Sequence, residues 1–114
     1  MSAIIYCRTA STIGSRPDQA ALEQEKLCRD FAETEGYEVT NVFFDLGVSG
    51  NSKDRHGFQA LLNFLRQRPK PVTVLVSSVD RIARDLGVLQ ELVDKLTDMG
   101  APLTIADKEF HKGL

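Results

Sequence analysis

Hydrophobic positions along this chain change period several times, and each change marks an element. Ala3-Ile4-Ile5-Tyr6-Cys7 is a short continuous apolar run, the pattern of a strand buried on both faces. Ser11 to Asp18 is punctuated by Ser, Thr, Gly and Pro and reads as a loop. A helical pattern starts at Pro17, with Leu27, Cys28, Phe31 and Ala32 on one face and Gly36 as its C-terminal cap. Tyr37 to Phe44, rich in aromatic and β-branched residues, reads as a second strand. Asp45 to Asp54 is polar, contains glycine and has no period. Phe58, Leu61, Leu62 and Leu65 then mark a second helix, which the prolines of Arg66 to Pro71 break. Val72 to Val76 is an unbroken run of strand-forming residues. Ile82, Leu86, Leu89, Val93 and Leu96 recur at threes and fours up to Gly100, predicting a third helix. Pro102 to Ala106 reads as a fourth strand.

Strands and helices therefore alternate throughout. Such alternation predicts an α/β domain over residues 1–114, three-layered, with a mainly parallel sheet of four to five strands and helices on both faces. Sites in such sheets lie beyond the carboxyl ends of the strands. Three segments qualify: Arg8 to Thr12 after the first strand, Asp45 to Arg55 after the second, and Ser77 to Asp85 after the third. Each brings arginine together with hydroxyls or carboxylates. A guanidinium is permanently charged and presents a planar fork of donors matched to phosphate oxygens. Arg8, Arg55, Arg81 and Arg84 beside serines point to a phosphodiester rather than to a sugar or a carboxylate.

Composition narrows the picture further. Hydrophobic residues make up 42% of the 114 and charged residues 26%, an ordinary globular balance. No apolar run approaches the roughly 20 residues that cross a bilayer, and the N-terminus lacks a secretory pattern. Cys7 and Cys28 read as reduced core residues, suited to the cytoplasm. The net charge is −2 and the pI near 5.6, so grip on nucleic acid cannot rest on a basic surface overall. No glycine-rich nucleotide cradle is present, and His56 and His111 lack metal-ligand spacing; neither a cofactor nor a metal is expected.

Four segments, taken in order, resemble the catalytic domain of the serine recombinases, the resolvase/invertase family. They are Tyr6-Cys7-Arg8-Thr9-Ala10-Ser11, Asp45-Leu46-Gly47-Val48-Ser49-Gly50, Arg55-His56-Gly57-Phe58 with the residues up to Leu62, and Asp80-Arg81-Ile82-Ala83-Arg84-Asp85. The resemblance implies site-specific DNA recombination through a 5′-phosphoserine intermediate, without metal or nucleotide. It implies double-stranded DNA carrying a recombination site as partner, and homodimers that assemble into a synaptic tetramer. A cytoplasmic protein of bacterial or phage origin is implied too. Carried over, Arg8, Arg55, Arg81 and Arg84 bind the phosphate, Asp80 is the acidic partner, Ser11 the nucleophile, and Gln19, Gln24 and Ser49 lie near the DNA phosphate.

Two departures bear on this. The family places its serine two residues after the arginine, where this chain has Ala10, and Ser11 follows one residue later. Either Ser11 takes the role through a shifted turn or the nucleophile is lost, leaving a catalytically silent interaction domain; the intact remainder of the set favours Ser11. The stretch from Arg8 to Gln19 is also about five residues longer than the common pattern. Family members continue into an oligomerisation helix and a DNA-binding domain, which are expected outside these 114 residues. A receiver-like signalling domain shares the alternating layout, but it needs carboxylates where the first strand delivers Arg8.

Overall fold

A computed structural model of the chain describes residues 1–9, 19–47, 55–67, 71–78, 83 and 85–106. Within them the chain runs β1 (Ser2–Thr9), α1 (Gln19–Glu35), β2 (Glu38–Leu46), α2 (His56–Gln67), β3 (Val72–Val76), α3 (Leu86–Asp98) and β4 (Leu103–Ile105). The four strands form one parallel sheet in the order β2-β1-β3-β4, within the four to five strands predicted.

Side chains alternate across β1 and sort the core into two halves. Ala3, Ile5 and Cys7 pack with Cys28 and Ala32 of α1. Ile4 and Tyr6 pack with Phe58, Leu61, Leu62 and Leu65 of α2 and with Leu92 and Leu96 of α3. One helix thus covers one face and two cover the other, giving three layers. Right-handed crossovers dictate this split: the chain steps one way from β1 to β2 and the opposite way from β2 to β3 and from β3 to β4.

Three boundaries differ from the sequence pattern. β1 and β2 run on past their apolar stretches, because the ladder continues through Arg8↔Asp45 and Thr9↔Leu46. Polar residues read as the start of loops are therefore held inside the sheet. In α1 the buried stripe is Ala21, Gln24, Cys28 and Ala32, all small but Gln24, whose amide reaches the Arg8 backbone. Leu27 falls off that stripe and stays 36% exposed, contrary to its predicted place on the packed face. Finally, α3 begins at Leu86 rather than at Ile82. Asp85, in extended conformation, caps it by accepting from the Val88 amide. Pro17, Ile82 and the loop Ser11 to Asp18 lie outside the described residues.

Candidate functional site

The strand order fixes where a site belongs. The connection leaving β1 goes to the α1 face, whereas the one leaving β3 goes to the opposite face. A crevice opens between such diverging connections, beyond the carboxyl ends of adjacent strands. Arg8 and Thr9 end β1 there, and Ser77 and Ser78 follow β3. The chain leaving these two ends carries Ser11, Asp80, Arg81 and Arg84, and the chain after β2 carries Ser49; all five lie outside the described residues. Ala83 is described, and it is buried in the core on the α2/α3 face.

Arg8 is buried, 1% exposed, at the end of the central strand. β3 pairs with β1 only from Ser2↔Val72 to Ile5↔Leu75, so Arg8 lies past the last rung that β3 supplies. Gln24 of α1 takes over. Its Oε1 accepts from the Arg8 amide at 3.1 Å, and its Nε2 donates to the Arg8 carbonyl at 2.9 Å. A side-chain amide reproduces the donor-acceptor pair of a backbone peptide, which suits it to finish a ladder. Gln24 is itself buried, and it ties Arg8 to the helix lying over the sheet.

Arg55 is also 1% exposed and stands immediately before α2. Its position rests on Asp45 and Tyr6. The Asp45 carboxylate accepts from the amides of Gly57 at 2.7 Å and Phe58 at 3.0 Å, capping α2 from a neighbouring strand. Oδ2 of the same group also accepts from the Tyr6 hydroxyl at 2.6 Å. The hydroxyl oxygen in turn accepts from Nη1 of Arg55 at 3.4 Å. Burial first, and then the hydrogen bond to Asp45, push the Tyr6 pKa far up, so this hydroxyl stays neutral and keeps its proton. The Tyr6 ring sits edge-on to Phe58, with centroids 5.5 Å apart.

Alternation along β1 sets Arg8 on the same side as Tyr6, the α2/α3 side. The structure therefore brings Arg8 and Arg55 to one face of one sheet end, with Asp45 as the register partner of Arg8 and as the anchor of the helix that follows Arg55. Two buried arginines thus share one sheet end with a carboxylate committed to backbone amides. Gln19 is exposed and donates to Glu23 at 3.2 Å, away from this network.

Sequence reasoning gave no role to Tyr6 or Asp45, although Asp45 opens one of the three nominated segments. Tyr6 counts as apolar in a buried run, and Asp45 looks like the first loop residue. The available signal is a lone acid at the end of an apolar strand, ten residues before an arginine that opens a helix. Cys7 and Cys28 are buried, and burial pushes both thiols up, Cys28 to about 12, so neither is a nucleophile at neutral pH. Among the described residues no group of three His, Cys, Asp or Glu side chains could hold a metal ion. No described helix is long and apolar enough to cross a membrane.

The sequence profile of the resolvase N-terminal domain matches residues 3–113. The Tn501 resolvase of Pseudomonas aeruginosa is 43% identical over 68 residues, which cover 60% of this chain and 34% of that protein. The resolvase of transposons Tn1721 from Escherichia coli gives the same values. The matched segment thus spans about a third of these curated relatives. Among solved structures, the N-terminal catalytic domain of TP901-1 integrase superposes with a TM-score of 0.81 at 27% identity, over 93% of this chain and 78% of that one. The C-terminal catalytic domain of ISC1926 TnpA, an IS607-like serine recombinase, gives 0.79 at 25% identity, over 96% and 69%.

Proposed function

The chain belongs to the resolvase family, whose N-terminal domain it matches from residue 3 to residue 113, and from that premise we propose that it is the catalytic domain of a site-specific DNA recombinase. The supporting observation is the convergence of Arg8 and Arg55, both buried, on one face of the carboxyl end of β1 and β2. The relatives named above as resolvases, an integrase and a serine recombinase agree with this chemistry.

In the proposed reaction the Ser11 oxygen attacks a backbone phosphorus. Its proton leaves, the bond to the 3′ oxygen breaks, and that oxygen takes up a proton as a 5′-phosphoserine ester forms. Rejoining reverses these steps with a 3′ hydroxyl of a partner strand. One phosphate ester replaces another, so no external energy source is needed. The work left to the protein is positioning the phosphorus and stabilising charge on its oxygens. Arg8, Arg55, Arg81 and Arg84 supply that charge, and Asp80 orients a guanidinium or carries a proton to the leaving oxygen. Preorganised donors act without rearrangement, and removing one costs about 10²–10³ in rate. Gln19 and Ser49 lie along the DNA backbone in this reading. Gln24 holds Arg8 rather than DNA, because both ends of its amide bond the Arg8 backbone.

The net charge of −2 gives this domain little grip of its own. Affinity and site choice then rest on an oligomerisation helix and a DNA-binding domain elsewhere in the protein, and strand exchange on a tetramer of subunits. Ala10 favours a second reading, a silent recombinase-like interaction domain. Mass spectrometry after reaction of the full-length protein with cognate DNA separates the two. Recombination predicts a nucleotide-linked peptide with the modification on Ser11, abolished in Ser11→Ala. No adduct on any side chain supports the silent domain, and an adduct that survives in Ser11→Ala removes Ser11 from the mechanism.

A further inference from the structure

We propose that Tyr6 is a positioning residue for Arg55, its hydroxyl fixing the place of the guanidinium at the sheet end; this rests on the phosphodiester reading of that site. The hydroxyl lies between two charged groups, 2.6 Å from Asp45 Oδ2 and 3.4 Å from Arg55 Nη1. Its polarity is fixed. Asp45 already accepts from the Gly57 and Phe58 amides, and a carboxylate in that role has only lone pairs to offer Tyr6. The tyrosine must donate to Asp45, which aims its own lone pairs at Arg55. The rest of the ring is equally constrained, by the edge-on contact with Phe58 and by complete burial on β1.

The groups act in sequence. Asp45 holds the start of α2 and the Tyr6 proton. Tyr6 turns that anchored proton into an oriented acceptor for the guanidinium, two residues before Arg8 on the same side of the same strand. Arg55 is thereby referenced to β1, the strand that carries Arg8, and not only to the helix it precedes. A phosphate that needs both arginines meets a pair whose spacing the sheet sets. The role is indirect: the hydroxyl acts through Arg55 and not on the phosphate.

The 114-residue chain suits NMR, which reads the guanidinium directly. In the wild type the Tyr6 hydroxyl proton is expected to exchange slowly and to show a cross-peak to the Arg55 Nη protons. Tyr6→Phe keeps the ring and its contact with Phe58. There the Arg55 Nη protons are expected to exchange with water at least about ten-fold faster, the lower end of the factor for one hydrogen bond to a charged group. The Gly57 and Phe58 amides should stay protected. Inorganic phosphate, titrated as probe, should shift the Arg55 signals in the wild type and bind about ten-fold more weakly to Tyr6→Phe. Unchanged Arg55 exchange in Tyr6→Phe overturns the positioning role. So does a fast-exchanging Tyr6 hydroxyl without that cross-peak in the wild type, which requires no variant to fold. Absence of any phosphate response in the wild type overturns the phosphodiester reading instead, and leaves the hydroxyl-to-guanidinium link to be judged by exchange alone.

Discussion

Gln24 holds Arg8 by the backbone at both ends of one peptide-like amide, 3.1 Å to the N–H and 2.9 Å to the carbonyl. Both bonds go to backbone atoms of Arg8. Gln24→Ala strands a buried donor and a buried acceptor at the end of the central strand. An orphaned buried group costs about 1–3 kcal/mol, so the variant is expected to lose about 2–4 kcal/mol and to melt on the order of 10 °C lower. Urea titration and calorimetry check it. A variant as stable as the wild type would show that water replaces the amide without loss.

Gly57 carries the tightest packing constraint at the site. A Cβ built there would meet the Phe44 carbonyl oxygen and carbon at 2.1 and 2.7 Å, both of them backbone atoms that cannot turn aside. Gly57→Ala must push α2 off the end of β2, and the Asp45 cap with it. We expect a loss of about 3 kcal/mol or more, with Arg55 displaced. Gly36→Ala is the control. It has φ of +79° and open space around it, so only the left-handed backbone opposes the change, at about 1 kcal/mol. Equal stabilities for the two variants in urea titrations would contradict the steric account.

Period and punctuation carried the architecture because the two central strands, β1 and β3, are buried on both faces and each described helix on one. Ile4 and Ile5 look alike in sequence although they belong to opposite halves of the core, so the alternation recovers the strand but not the partner helix. The positions of Arg8 and Arg55 beside the sheet end were legible because guanidinium groups are conspicuous beside apolar runs. Tyr6 and Asp45 were not, because their meaning comes from each other across 39 residues of chain. Gln24 was legible as a site residue only through resemblance. Its bond to the Arg8 backbone depends on β3 ending early, a fact of register that no local pattern encodes.

Alkaline stability follows from the two thiols. Burial raises both folded-state values above the ordinary 9.0, Cys28 to about 12 and Cys7 in the same direction. A raised value in the folded state means that stability is intact below pH 9 and falls as the unfolded chain, but not the folded one, loses protons. Each thiol contributes a slope of about 1.4 kcal/mol per pH unit above that point. Between pH 9.5 and 10.5 the thiol pair should cost the wild type about 2.7 kcal/mol per unit, on top of the loss from the buried Tyr6 hydroxyl, and Cys28→Ala should reduce the measured slope by about 1.4 kcal/mol per unit. Urea midpoints across this range provide the measurement. A slope unchanged in Cys28→Ala would mean that its thiol ionises as readily in the folded chain as in the unfolded one. Below pH 8 alkylating reagents should leave both thiols untouched until urea is added.

Asp45 unites the cap of α2 with the Tyr6 hydroxyl, so its variants separate charge from shape. Asp45→Ala leaves the Phe58 amide and the Tyr6 hydroxyl buried without their acceptor, and the Gly57 amide half-buried without one. A loss of about 3 kcal/mol or more is expected, at the upper end for a lost cap because a tertiary bond goes with it. Asp45→Asn keeps the shape but replaces one accepting oxygen with a donor. Whichever way the amide turns, one set of donors faces another: either the Gly57 amide loses its acceptor, or the Phe58 amide and Tyr6 do. We expect about 2 kcal/mol of destabilisation and faster hydrogen exchange confined to the first turn of α2, with the amides of α1 as protected as before. Exchange that rises uniformly over the whole domain would instead make Asp45 a global core residue with no special hold on the start of α2. Wild-type exchange in both variants would mean that solvent caps the helix equally well.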